Sequence, residues 1–159
     1  MEKDLILQQK IEFIHWVTTL EEMSDEQWFQ PLKPGTLWGT ADIISHLLFW
    51  DRFVIENRLS FLLENKKFPR LSVDAEERNL AASNYARAGI SKVELIEEYV
   101  TTARELVSLI GKIDPKSFKE PCLEQEQLLL GEYFEGLIQH EMQHKKQIES
   151  LMEQNEINY

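Results

Sequence analysis

The chain has 159 residues, enough for one domain with its own core, and 43% of them are hydrophobic. Four Trp and eight Phe argue against a disordered chain, and only six Gly and five Pro favour helix over a turn-rich β architecture. With 28 acidic against 17 basic residues, a net charge of −11 and no basic stripe, nucleic acid and anionic membrane surfaces are disfavoured as partners.

Lys3 to Met23 reads as a first long helix, with Leu7, Ile11, Ile14, Val17 and Leu20 on an apolar stripe of helical period. Ser24-Asp25-Glu26-Gln27 is a capping-box pattern that opens a short helical turn before Pro31, and Pro34-Gly35 is a turn. A second long helix starts with Thr36 or Thr40 as N-cap and runs to about Glu64. Asn65 to Ser72, with Pro69, breaks it. Asp74 to Arg87 is polar and Ala-rich, a shorter connecting helix that Gly89 ends. Ser91-Lys92-Val93-Glu94 is a second capping box, opening a third long helix to about Ile113, which Asp114-Pro115 stops. Gly131 precedes a fourth, from about Glu132 to Gln154. Four long helices, no convincing strand and no internal repeat predict an all-α chain forming one domain, residues 1–159, of four-helix-bundle type with short connecting helices.

Cys122 is the sole cysteine, so no internal disulfide is available and a cytoplasmic location fits. It has no nearby His and no CxxC partner, and reads as a loop or semi-buried thiol rather than a nucleophile. The N-terminus reads as no signal peptide, and no apolar run is long enough to span a bilayer.

The chemistry concentrates in His140-Glu141-Met142-Gln143-His144. On a helix this spacing stacks two imidazoles on one face, where both can reach one metal ion. It is also the HExxH pattern of zinc proteases. That reading needs a third ligand downstream, and residues 145–159 offer neither the further His nor a Glu on a later helix. Glu149, Glu153 and Glu156 continue the same helix and its tail, so they cannot face the same ion. Glu141 lies about 100° round the helix from His140, and reads as a solvated residue or one behind the ligands rather than a general base. The third ligand must then come from upstream. His46 has Ile43, Phe49 and Trp50 at helical spacing, facing the interior, whereas His15 has the mixed flank Ile11, Thr18 and Thr19. Asp42 and Gln143 are candidates to support the ligands.

Ile43-Ile44-Ser45-His46-Leu47-Leu48-Phe49-Trp50, with Gln139-His140-Glu141-Met142-Gln143-His144 and the Leu37-Trp38-Gly39 turn, resembles the DinB/YfiT-like metalloenzyme superfamily from Lys3 to about Gln154. The resemblance implies a four-helix bundle in up-down-down-up order, usually a homodimer. It implies a divalent metal, zinc or nickel first and iron or manganese after them, held by three histidines that match His46, His140 and His144. It also implies thiol-dependent S-transferase or isomerase chemistry on a small molecule, with bacillithiol, mycothiol or a related low-molecular-weight thiol. In that reading a thiol or water activated at an open metal position attacks an electrophile. The other reading is a metal- or small-ligand-binding stress-response bundle without turnover. A deep pocket reaching the metal favours the first, and a metal sealed under Phe and Trp side chains favours the second.

Overall fold

The computed structural model describes residues 1–71 and 73–157, and these contain helices but no strand. Helix α1 spans Lys3–Thr19 and tightens into a 3₁₀ turn at Leu20–Glu22. Ser24 then caps α2, Asp25–Phe29, by the predicted reciprocal pair. Its hydroxyl accepts the Gln27 N–H at 3.1 Å, and its own N–H donates to the Gln27 side chain at 3.3 Å.

The N-cap of α3, Thr40–Val54, is Gly39 rather than Thr36 or Thr40. Two contacts explain this. The Gly39 N–H donates to Asp42 Oδ2 at 2.8 Å, and a Cβ at Gly39 would lie 2.8 Å from the Gln30 carbonyl oxygen and from the Phe29 carbonyl carbon. The helix continues through a π turn at Ile55–Leu59 into the short α4, Ser60–Leu62. The π turn has no counterpart in the sequence pattern. The Asn57 amide donates to the Phe53 carbonyl at 3.2 Å there, a side-chain bond to the backbone within the widened turn.

Helix α5, Ala75–Ala86, starts at Asp74, whose carboxylate accepts the Glu77 N–H at 3.1 Å, and stops before Gly89 at φ +104°. Ser91 caps α6, Lys92–Gly111, two residues shorter than expected. Its hydroxyl donates to Glu94 Oε1 at 2.9 Å, in place of Glu94 reaching back to the backbone. Asp114 accepts from Lys116 N–H and opens a 3₁₀ turn at Pro115–Lys119. Helix α7, Leu130–Ile157, begins two residues before the expected start, and Glu132 accepts the Leu129 N–H at 3.1 Å. Two isolated bridges, Phe68 with Leu123 and Pro121 with Leu129, tie the long connections together.

Helix α6 packs on α1 and α3, α5 on α3, and α7 on α1, while α3 and α7 touch each other only slightly. One apolar cluster gathers Ile14, Trp28, Ile44, Leu48, Ile96 and Tyr99. A second, toward the other end, gathers Ile6, Val54, Leu59, Phe68, Ile110 and Phe134. Each fully buried side chain of this size contributes about 1.5–3 kcal/mol.

One ionic group lies inside this apolar frame. Lys10 of α1 donates to Asp51 of α3 at 2.9 Å, to Glu141 of α7, and to the Tyr99 hydroxyl of α6 at 3.4 Å. Lys10, Asp51 and Glu141 are all buried. Glu141 is therefore not solvated and does not support the histidines; it turns into the core, and its Oε2 has no hydrogen-bond partner there.

Candidate metal centre

His46 comes from α3, and His140 and His144 from consecutive turns of α7. Their rings meet: His46 Nε2 is 3.4 Å from His140 Nε2, which is 3.0 Å from His144 Nε2. One nitrogen from each of the three lies within 4.8 Å of the others. Ligand nitrogens about 2.1 Å from a shared ion are about 3.4 Å apart in a tetrahedron and about 3.0 Å apart at right angles, so these spacings fit one small ion. His15, by contrast, is exposed on α1 and away from this cluster.

Groups on the far side of the rings set which nitrogen carries the proton. Trp50 Nε1–H can only donate, and it meets the Asn79 side chain at 3.2 Å, so the Asn79 atom there is the amide oxygen. The same oxygen lies 2.9 Å from His46 Nδ1, which must therefore carry the hydrogen and leave a lone pair on Nε2. Gln147 Oε1 holds His144 Nδ1 in the same way at 3.0 Å. Lone pairs from His46 and His144 thus both point at His140 Nε2, which has at most one proton to give. A cation at the point of convergence resolves that conflict, and the donor set suits a divalent metal.

Burial reinforces this state. It pushes the pKa of His46 down to about 4, and those of His140 and His144 below the ordinary histidine range. All three are neutral at pH 7, the form that binds metal. Trp38 and Trp50 flank His46, with ring centroids 5.5 and 6.3 Å away. A cavity of about 420 Å³ reaches His144 between Trp38, Ile43 and Leu32. Of the three histidines it is His144 that lines this cavity, together with Gln147 on the Nδ1 side of its ring.

The residues named as supports sit elsewhere. Asp42 is turned away, bonded to the Gly39 N–H, the Ser83 hydroxyl and the Arg87 guanidinium. Gln143 is exposed. The supports in place are Asn79 and Gln147. Gln147 is three residues beyond His144, so helical spacing alone points to it. Asn79 sits in the polar helix α5, and nothing in its sequence context marks it. Replacing Asn79 by alanine is expected to weaken divalent-metal binding about 10–100-fold while the fold persists, as read by competition with a chromophoric chelator. Cys122 lies in the second apolar cluster, away from the histidines, with burial pushing its thiol up to about 11.

An all-helical chain with three convergent neutral imidazoles, each of two different helices contributing, is a protein built to be able to hold a metal ion. The chain belongs to the DinB superfamily, whose model matches residues 15–148. No curated protein and no solved structure matches it. No described helix is long and apolar enough to cross a membrane.

Proposed function

We propose that this chain is a metal-dependent enzyme of the thiol S-transferase type, with His46, His140 and His144 as the ligands of one divalent ion, zinc or nickel before iron or manganese. The observation that carries the reading is the convergence of the three Nε2 atoms, with Asn79 and Gln147 fixing the protons on the far nitrogens. The chemistry such an ion supplies is Lewis acidity, which makes a thiol or water acidic at neutral pH.

The chain's own groups do the rest. Trp50 and Asn79 lock the His46 ring, and Trp38 and Trp50 shield it from bulk water. In this proposal the cavity lined by His144 takes the small molecule, and a cavity against one of the ligands supports turnover over a purely storage or structural role. In the same proposal the thiol is a low-molecular-weight one such as bacillithiol, and the whole chain acts in the cytoplasm as one domain. Its four longest helices form an up-down-down-up bundle that pairs as a homodimer.

The test is a conjugation screen on chain reconstituted with zinc or nickel. Bacillithiol and other small thiols are offered 1-chloro-2,4-dinitrobenzene. The thiolate sulfur forms a bond to the ring carbon, chloride leaves, and the thiol proton passes to buffer. Metal-dependent product above the uncatalysed rate, abolished by chelator, supports the proposal. A metal-loaded chain inert with every thiol and with water overturns it.

A further inference from the structure

We propose that Arg58 and Arg78 form a binding site for an oxyanion, the carboxylate or phosphate head of a small molecule lying along the face of α3 that carries His46. In a chain with 28 acidic residues, arginines find carboxylates easily. Arg52 pairs with Glu98, Arg70 with Glu126 and Arg87 with Asp42, and Arg104 is exposed on α6. Arg58 and Arg78 are half-buried, yet among the described residues neither makes an ion pair.

Both lie against one ring instead. The Arg58 guanidinium carbon is 4.8 Å from the Phe53 centroid and 4.6 Å from that of Phe68. The Arg78 carbon is 4.5 Å from Phe53 and 5.9 Å from Trp50. Contact with ring faces satisfies the flat side of a guanidinium but not the N–H groups at its edge. Arg58 shows the shortfall: its Nε is buried without an acceptor, and its contact with the Asn57 carbonyl is long, 3.5 Å. The Tyr133 hydroxyl accepts from this guanidinium and the Cys122 thiol lies near it, so Arg58 has neutral neighbours but no carboxylate.

The backbone of α3 is deformed in a way that produces this arrangement. His46, Trp50 and Phe53 share one helical face, and in a regular helix residue 57 comes next while residue 58 falls about 100° further round. The π turn at Ile55–Leu59 adds one residue to the turn and brings Arg58 onto that face. Arg78 arrives from α5, next to Asn79, which holds both His46 and Trp50.

Phe53 is seven residues past His46, about 10 Å along the helix. An organic anion of about that length, its head held by the guanidinium edges beside Phe53, would run over Trp50 with its far end at the three histidines. Guanidinium forks suit the planar or tetrahedral oxygens of carboxylate and phosphate.

The test follows the arginine Nε–H resonances of ¹⁵N-labelled full chain, as purified and again after chelation, during titration with inorganic phosphate and separately with succinate. Arg58 and Arg78 are expected to shift together and saturate with one midpoint, while Arg52, already paired, stays still. The anion that saturates them identifies the head group as phosphate or carboxylate. Arg78→Gln is expected to weaken the response of Arg58 about tenfold in midpoint. Neither anion saturating the pair, or Arg52 shifting as much, overturns the site. Because the chelated chain is measured too, such a failure leaves the three-histidine reading untouched.

Discussion

Replacing His140 by alanine is expected to empty the metal centre. Its Nε2 lies 3.4 Å from that of His46 and 3.0 Å from that of His144, so it faces both other members at ligand spacing. Without it, His46 and His144 remain as two ligands from different helices, below the three that hold a catalytic ion tightly. Chain purified without chelator is expected to carry about one divalent metal, and His140→Ala to lose at least about 100-fold in affinity. Elemental analysis reads both numbers, with His15→Ala, an exposed position outside the cluster, as the retained-metal control. Metal absent from the wild-type chain, or fully retained by His140→Ala, would end the three-histidine assignment.

The largest loss of stability is expected at Lys10. Burial works against its charge, but the carboxylates of Asp51 and Glu141 hold its pKa above the ordinary lysine value. Burial pushes both carboxyls upward, Glu141 to about 7, with Lys10 pulling against that rise. Lys10→Met keeps most of the volume and leaves two buried acidic groups with no cation, which must take up protons or stay charged at high cost. Removing one partner of such a group costs about 3–5 kcal/mol, read as a shift in the urea midpoint at unchanged slope. Adding Asp51→Leu and Glu141→Met to that variant is expected to restore much of the loss, because well-packed apolar side chains can replace a buried ionic group. A loss under about 1 kcal/mol in Lys10→Met would mean that the ionic contacts contribute little to the fold.

The parts of the fold readable from the chain alone are those specified by neighbours in sequence. Ser24 with Gln27 and the helix start at Asp74 act within a few residues, and the structure places them as read, while α6 ends at Gly111, two residues short of the Ile113 read before the Asp114-Pro115 stop. Gly39 is an instructive miss. Thr is the better N-cap by side-chain chemistry, but only glycine fits against the Phe29–Gln30 backbone, a contact absent from local pattern. The histidine cluster was legible because two members sit at i and i+4 and the third lies in an apolar run. Its supports were less so, since Asn79 is 33 residues from the ring it holds. Glu141 was misread for the same reason: its partner Lys10 lies 131 residues away. A charged residue beside a histidine motif looks solvated until the other helix is in place.

Helix α7 carries the last consequence. His140 and Glu141 are adjacent in the chain, yet one faces the imidazole cluster and the other the buried lysine. A slide of one residue would turn the helix by about 100° and break both sets of contacts together. The azimuth of α7 is thus pinned twice, at directions about 100° apart, by groups that share no atoms. Occupancy of one flank and integrity of the other are thermodynamically linked: an ion bound only by the correctly phased helix adds RT ln(1 + [M]/Kd) to folding. By reciprocity, whatever loosens the lysine side would weaken an ion held by the three histidines.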